Sequence, residues 1–163
     1  VGDGNNVLHD LMLGCAILGV DCTWAVPEGY EPDEEIVKRA KKIAKKTGCK
    51  MKQTHNPKKA VKNATIIYTD VFVSMGEEDQ VDKMADFDGF QINMELLESA
   101  EDDWSFMHCL PAHRGDEVTD EVMDHKQSIV FDQAENRMWA QMSLITYLCN
   151  KAAWETLAEF LDL

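Results

Sequence analysis

The sequence predicts an α/β fold: a doubly wound, mainly parallel sheet of about five strands flanked by helices, Rossmann-like in layout. Three observations predict it. Short runs rich in β-branched and aromatic residues recur along the 163-residue chain. Stretches with apolar residues at helical spacing lie between those runs. The junctions carry cap chemistry, with Asp33 and Asn56-Pro57 ahead of two helices, Gly48 behind the first of these and Gly19 behind another.

Val7 to Leu18 places Val7, Leu8, Leu11, Met12, Cys15 and Leu18 on a helical face, and Gly19 stops it. Cys22 to Val26 reads as a first buried strand, ended by Pro27. Asp33 caps a helix with Ile36, Val37, Ala40, Ile43 and Ala44 toward the core. Its acids, Glu34 and Glu35, sit in the first turn and its bases, Lys45 and Lys46, in the last, as the helix dipole favours. Lys50 to Thr54 is a second strand, and Asn56-Pro57 opens a short helix to Lys62. Thr65 to Thr69 is a third strand. A long connection from Asp70 through Gly76 leads to an acidic helical segment around Glu77 to Ala85. Met94 to Ala100 reads as a short helix, Trp104 to His108 as the fourth strand, Thr119 to Met123 as a helix and Ser128 to Phe131 as the fifth strand. Asp132-x-x-Glu135 has capping-box spacing for a last helix that runs through Leu148 toward Phe160.

Hydrophobic residues make up 45% and charged residues 28%, enough for one domain with its own core across residues 1 to 163. The net charge of -14 argues against nucleic acid or an anionic membrane as partner, since both need clustered positive charge. No apolar run is long enough to cross a bilayer. The five cysteines are odd in number and lack Cys-x-x-Cys spacing, which points to a reduced, cytoplasmic protein without disulfides or a zinc site. The chain begins at Val1, directly before a Gly-Asp-Gly-Asn-Asn loop of a kind that normally follows a strand. An upstream segment is therefore expected.

In a parallel sheet the strand-to-helix loops open on one edge. That gathers Gly2 to Asn6, Asp70 to Gly76, Cys109 to Arg114 and Asp132 to Arg137. The first supplies flexible backbone and amides at a helix N-terminus, suited to a carboxylate or phosphate. Without the full Gly-x-Gly-x-x-Gly spacing it is a poor nucleotide loop. Asp70 can hold an ammonium group with help from Ser74. A solvated turn explains these two residues equally well. Phe106 to Gly115 reads as a buried strand running out into reactive groups. Cys109 beside His108 and Arg114 suggests a thiol tuned toward thiolate, although a lone Cys-Leu-Pro is more often structural. Arg137, expected in the first turn of the last helix beside free backbone donors, suits an anion; its bland alternative is a surface ion pair with Glu135. His9, His55 and His125 show no ligand spacing and read as surface or structural residues. The methionines read as core filling.

With these segments in place, the chain resembles the C-terminal half of the ornithine carbamoyltransferase family over essentially its whole length. The resemblance rests on Asp3-Gly4-Asn5-Asn6, Asp70-x-x-x-Ser74-Met75-Gly76, His108-Cys109-Leu110-Pro111 and Phe131-x-x-Ala134-Glu135-Asn136-Arg137. It implies carbamoyl transfer from carbamoyl phosphate to the δ-amino group of L-ornithine, giving citrulline and phosphate. It implies that Asn6 binds the amino-acid end of ornithine and that Asp70 and Ser74 hold its α-amino group, with the Met75 backbone completing the loop. Cys109 would then lie near the δ-amine with the Leu110 carbonyl beside it, the Leu110-Pro111 bond would be cis, and Arg137 would contact carbamoyl phosphate. It also implies no metal or organic cofactor and a homotrimer, or a multiple of one, for the whole enzyme. The family's Ser-x-Arg-Thr and His-x-x-Gln segments do not occur here. The resemblance therefore implies half a site, with the 163 residues inactive alone. It also leaves open a non-catalytic amino-acid-binding or oligomerisation module derived from the family. A nucleotide-dependent oxidoreductase would need a glycine fingerprint and a ribose-binding acid, and neither is present.

Overall fold

A computed structural model describes residues 1–73 and 83–160. In order, the elements are α1 (Asn6–Leu18), β1 (Cys22–Ala25), α2 (Glu34–Thr47), β2 (Met51–Thr54), α3 (Pro57–Val61), β3 (Ile66–Thr69), α4 (Lys83–Asp86), α5 (Met94–Leu97), β4 (Ser105–His108), α6 (Asp120–Met123), α7 (Val130–Cys149) and α8 (Lys151–Phe160). Ser74, Met75 and most of the acidic segment expected before Ala85 lie outside the described residues.

The strands form two parallel pairs. Cys22 of β1 sits opposite Met51 of β2, and Ile66 of β3 opposite Ser105 of β4. Residues 1 and 2 join them: Val1 N donates to Tyr68 O of β3 and Gly2 N to Ala25 O of β1. The expected fifth strand is reduced to one parallel bridge, Ser128 to Phe106, with Ile129 N donating to Phe106 O. Val130 already turns into α7, so the extended stretch is too short for a ladder.

Local chemistry sets the helix ends. Asp33 accepts from Glu35 N and Ile36 N, and Asn56 from Lys59 N. Gly48 closes α2 in the left-handed region at φ 85°, where a side chain is disfavoured. The Asp132–Glu135 capping box does not form. Helix α7 starts three residues earlier, behind Ile129, which gives no side-chain cap. The final helix also breaks at Asn150, whose side chain accepts from Ala153 N and caps α8.

Two larger cores and a smaller one pack around the strands. Met12, Ala16, Trp24, Val26, Ala40 and Ala44 fill the space between α1, α2 and β1. Ile67, Ile92, Phe106, Val118, Val122 and Val130 fill the space around β3 and β4. Ala25, Phe72, Phe87 and Phe90 form a third group beside β1. Leu18, expected on the buried face of α1, is 78% exposed; Ala16 takes that place beside Met12. Helix α7 leaves Phe131, Met138, Trp139, Met142, Leu144, Ile145 and Leu148 exposed, so its methionines are not core. Trp154 is half-buried edge-on against Tyr147, and the side chains of Leu157, Phe160 and Leu161 lie outside the described residues.

Candidate functional site

The C-terminal ends of β3 and β4 carry the chemistry. Asp70 follows β3 and Cys109 follows β4, and their parallel pairing puts Thr69 beside His108 one step earlier. The Cys109 thiol donates to Asp70 Oδ1 at 3.0 Å. Asp70 Oδ1 also accepts from Val71 N, and Oδ2 accepts from Asn5 Nδ2 at 3.0 Å. Asn5 is the N-cap of α1, its Oδ1 taking Val7 N and Leu8 N. One asparagine thereby ties the first helix to the carboxylate of the third strand end. Three of the four expected loops meet in these bonds, and the fourth, Asp132 to Arg137, reaches the same strand ends through Gln133 and Arg137.

Gly4 allows that convergence. Its backbone is so close to residues 30–32 that an added Cβ would lie 2.3 Å from Tyr30 O and 2.5 Å from Pro32 N. Only glycine fits the gap.

The thiol is not activated. Burial first, and then the hydrogen bond and negative charge of Asp70, push the Cys109 thiol up to about 12. It is a neutral donor at physiological pH, and the expectation of a thiolate is corrected. Neither expected helper is available. His108 is fully buried rather than facing solvent; its Nδ1 accepts from Leu110 N and its Nε2 donates to Glu117 Oε1 at 3.1 Å. Arg114 bonds Asp120 and Asp124 at 2.8 Å instead. Tyr68, half-buried beside the thiol, is also held neutral, pushed up to about 12 chiefly by burial.

The Leu110–Pro111 peptide is cis, and Leu110 has φ 57°, a left-handed geometry that a leucine rarely adopts. The bond from Leu110 N to His108 holds the turn in that shape.

Arg137 lies in the third turn of α7, not the first, so its own helix offers no free backbone donors there. It is exposed, and among the described residues it has no carboxylate partner, Glu135 included. With Cys109, Leu110, Pro111, Ala134 and Met138 it lines one open depression. Asn6 is exposed at the first position of α1, and Asn5 makes the contact with Asp70.

Three other residues complete the site. Gln133 accepts from His108 N and donates to Tyr68 OH, clamping α7 across the two strand ends. Glu117 orients His108. Nothing in the sequence marks Gln133, Tyr68 or Glu117, whereas Asn5 carried a usable signal as the polar residue one position before a helix. The three scattered histidines are structural, as expected. His9 accepts from Asp33 N, His55 binds Val26 O, and His125 stacks on Trp104.

Asp70, Cys109 and His108 also offer a carboxylate, a thiol and an imidazole close enough to hold a metal ion. However, the imidazole and thiol are already committed to Glu117, Leu110 and Asp70. A neutral thiol bonded to a carboxylate at a strand-end edge, with a guanidinium lining the same open depression as the thiol, defines a ligand-binding α/β domain. Its chemistry suits a small molecule with an ammonium group and a neighbouring anion.

Residues 1–148 match the Asp/Orn-binding domain of the aspartate/ornithine carbamoyltransferases. The chain is 55% identical over 152 residues to a catabolic ornithine carbamoyltransferase of Halobacterium salinarum, covering 93% of this chain and 50% of that protein. Its fold matches the ornithine carbamoyltransferase of Pyrococcus furiosus with a TM-score of 0.85 at 51% identity, over 89% of this chain and 47% of that one. It matches the anabolic enzyme of Campylobacter jejuni with a TM-score of 0.87 at 35% identity, over 92% and 50%. The chain belongs to the aspartate/ornithine carbamoyltransferase family, and it spans about half the length of these relatives.

Proposed function

We propose that this chain is the ornithine-binding half of an ornithine carbamoyltransferase. The whole enzyme would transfer the carbamoyl group of carbamoyl phosphate to the δ-amine of L-ornithine, giving L-citrulline and phosphate in arginine metabolism. The observation that carries this reading is the Asn5–Asp70–Cys109 chain of hydrogen bonds beside Arg137.

In this reading Asp70, with Ser74, takes the α-ammonium of ornithine, Asn6 meets its amino-acid end, and the Met75 backbone closes the loop. The Cys109 sulfur and Leu110 carbonyl lie beside the δ-amine. That amine attacks as the free base, and Cys109, a neutral thiol tied to Asp70, orients it rather than removing its proton. Arg137 supplies fixed positive charge for carbamoyl phosphate. The remaining phosphate contacts belong to a companion domain, so residues 1 to 163 act as one domain of a larger enzyme. We assign that enzyme to the cytoplasm as a homotrimer or a multiple of one, with no nucleic-acid or membrane partner. No helix of the described residues is long and apolar enough to cross a membrane.

Steady-state citrulline formation by the full-length enzyme tests the reading. A charge-assisted contact of about 1.5–3 kcal/mol makes Asp70→Asn raise the ornithine KM by roughly ten- to a hundredfold, with the carbamoyl phosphate KM little changed. An unchanged ornithine KM in a folded mutant overturns the assignment of Asp70.

A further inference from the structure

The turn after β4 holds a second cluster that shares only Glu117 with the site described above. Glu117 is fully buried. Its Oε1 accepts from His108 Nε2 and from His113 N. Its Oε2 is buried with no hydrogen-bond partner. A buried carboxylate oxygen left without a donor is unfavourable unless something positive meets it. His113 Nδ1 stands 3.9 Å from it, outside hydrogen-bonding range. Asp116 brings a carboxylate oxygen to the same place, and one ligand atom from each of the three residues lies within 4.8 Å of the other two.

The surrounding turn is built to keep these groups together. Gln91 Nε2 donates to Gly115 O and Asp116 O, and Asp116 N donates to His113 O. Arg114, the nearest cation in sequence, is committed to Asp120 and Asp124. His113 and Asp116 are exposed, so each is free to rotate toward the fixed oxygen of Glu117.

We propose that His113, Asp116 and Glu117 bind one divalent transition-metal cation. An imidazole with two carboxylates is the donor set of zinc, cobalt or manganese, whereas calcium and magnesium favour oxygen alone. Metal–ligand bonds of about 2.0–2.2 Å put neighbouring ligand atoms about 3.4 Å apart in a tetrahedral site. The 3.9 Å between His113 and Glu117 therefore needs only a small closure. Water completes the shell on the open side. Through Glu117 the ion shares a carboxylate with His108, which holds the Leu110 turn, so it supports the site without entering the reaction.

The test is a Co2+ titration of the purified, reduced protein followed by visible absorption, with Zn2+ as competitor. The expected result is one equivalent bound, with ligand-field bands but no thiolate-to-cobalt charge-transfer band. His113→Ala and Asp116→Asn, both at exposed side chains and checked for folding by circular dichroism, should each weaken binding by more than about tenfold. Cys109→Ser should bind as the wild type does. Three results overturn the proposal: no binding at millimolar Co2+, wild-type affinity in both surface variants, or a charge-transfer band that disappears with Cys109→Ser. The first two would leave His113 as a plain ion-pair partner of Glu117, and the third would move the ion to the thiol.

Discussion

Asp70→Asn should make Cys109 more reactive, although it removes a functional group. In the native protein the thiol is half-buried and donates to Asp70 Oδ1 at 3.0 Å. Burial, followed by that hydrogen bond and the carboxylate charge, pushes it up to about 12. At pH 8 the thiolate fraction is then on the order of 10⁻⁴, against roughly a quarter for a thiol of ordinary pKa. Since only the thiolate attacks iodoacetamide, Cys109 should alkylate roughly a thousandfold more slowly than an unperturbed cysteine. Asparagine keeps the size and an oxygen acceptor but removes the charge. Burial remains the largest cause, so the recovery is partial. The thiol pKa falls, the thiolate fraction at fixed pH rises, and the pH–rate curve moves to lower pH. Alkylation at Cys109 should speed up on the order of tenfold. Mass spectrometry of the Cys109 peptide over time measures it. Cys149, exposed on α7, labels in both proteins and serves as an internal clock. If Cys109 labels at the native rate or more slowly in Asp70→Asn, the carboxylate is not what suppresses it.

Two further predictions concern stability. Gly4→Ala forces a methyl group against the backbone of residues 30–32 and should cost about 1–3 kcal/mol, seen as a lower Tm in circular dichroism; an unchanged Tm would mean the loop shifts freely. Phe106→Ala empties a fully buried position in the core around β4 and should cost about 3–5 kcal/mol in urea unfolding, a loss under about 1 kcal/mol being incompatible with that burial.

The sequence was most legible where one residue settles the local geometry. Asp33, Asn56, Gly19 and Gly48 cap the helices they were expected to cap, because a cap involves a few neighbouring atoms. It was least legible where the decision belongs to distant partners. Asp132-x-x-Glu135 has the spacing of a capping box, yet α7 begins at Val130, a residue fully buried in the β4 core. Packing sets that start, and the polar spacing two residues later has no say in it. Leu18 fits the helical stripe but falls in the last turn of α1, where the core has already ended.

The same distinction explains the errors at the site. Placing Asp70 beside Cys109 needed only the rule that parallel strands open on one edge, and they do meet. The charge state of the thiol needed the third dimension. Along the chain Cys109 has His108 and Arg114 for neighbours, which argues for a thiolate. In space His108 is turned inward to Glu117, Arg114 is turned outward to Asp120 and Asp124, and the group left touching the sulfur is a carboxylate. An anion 3.0 Å away and partial burial both favour the protonated thiol, so the sign of the prediction reversed while its location held. That reversal bears on mechanism. In the proposed reaction a neutral thiol bound to Asp70 would not be the base for an incoming ammonium, so the proton of the attacking amine would leave by another route, with Cys109 contributing position.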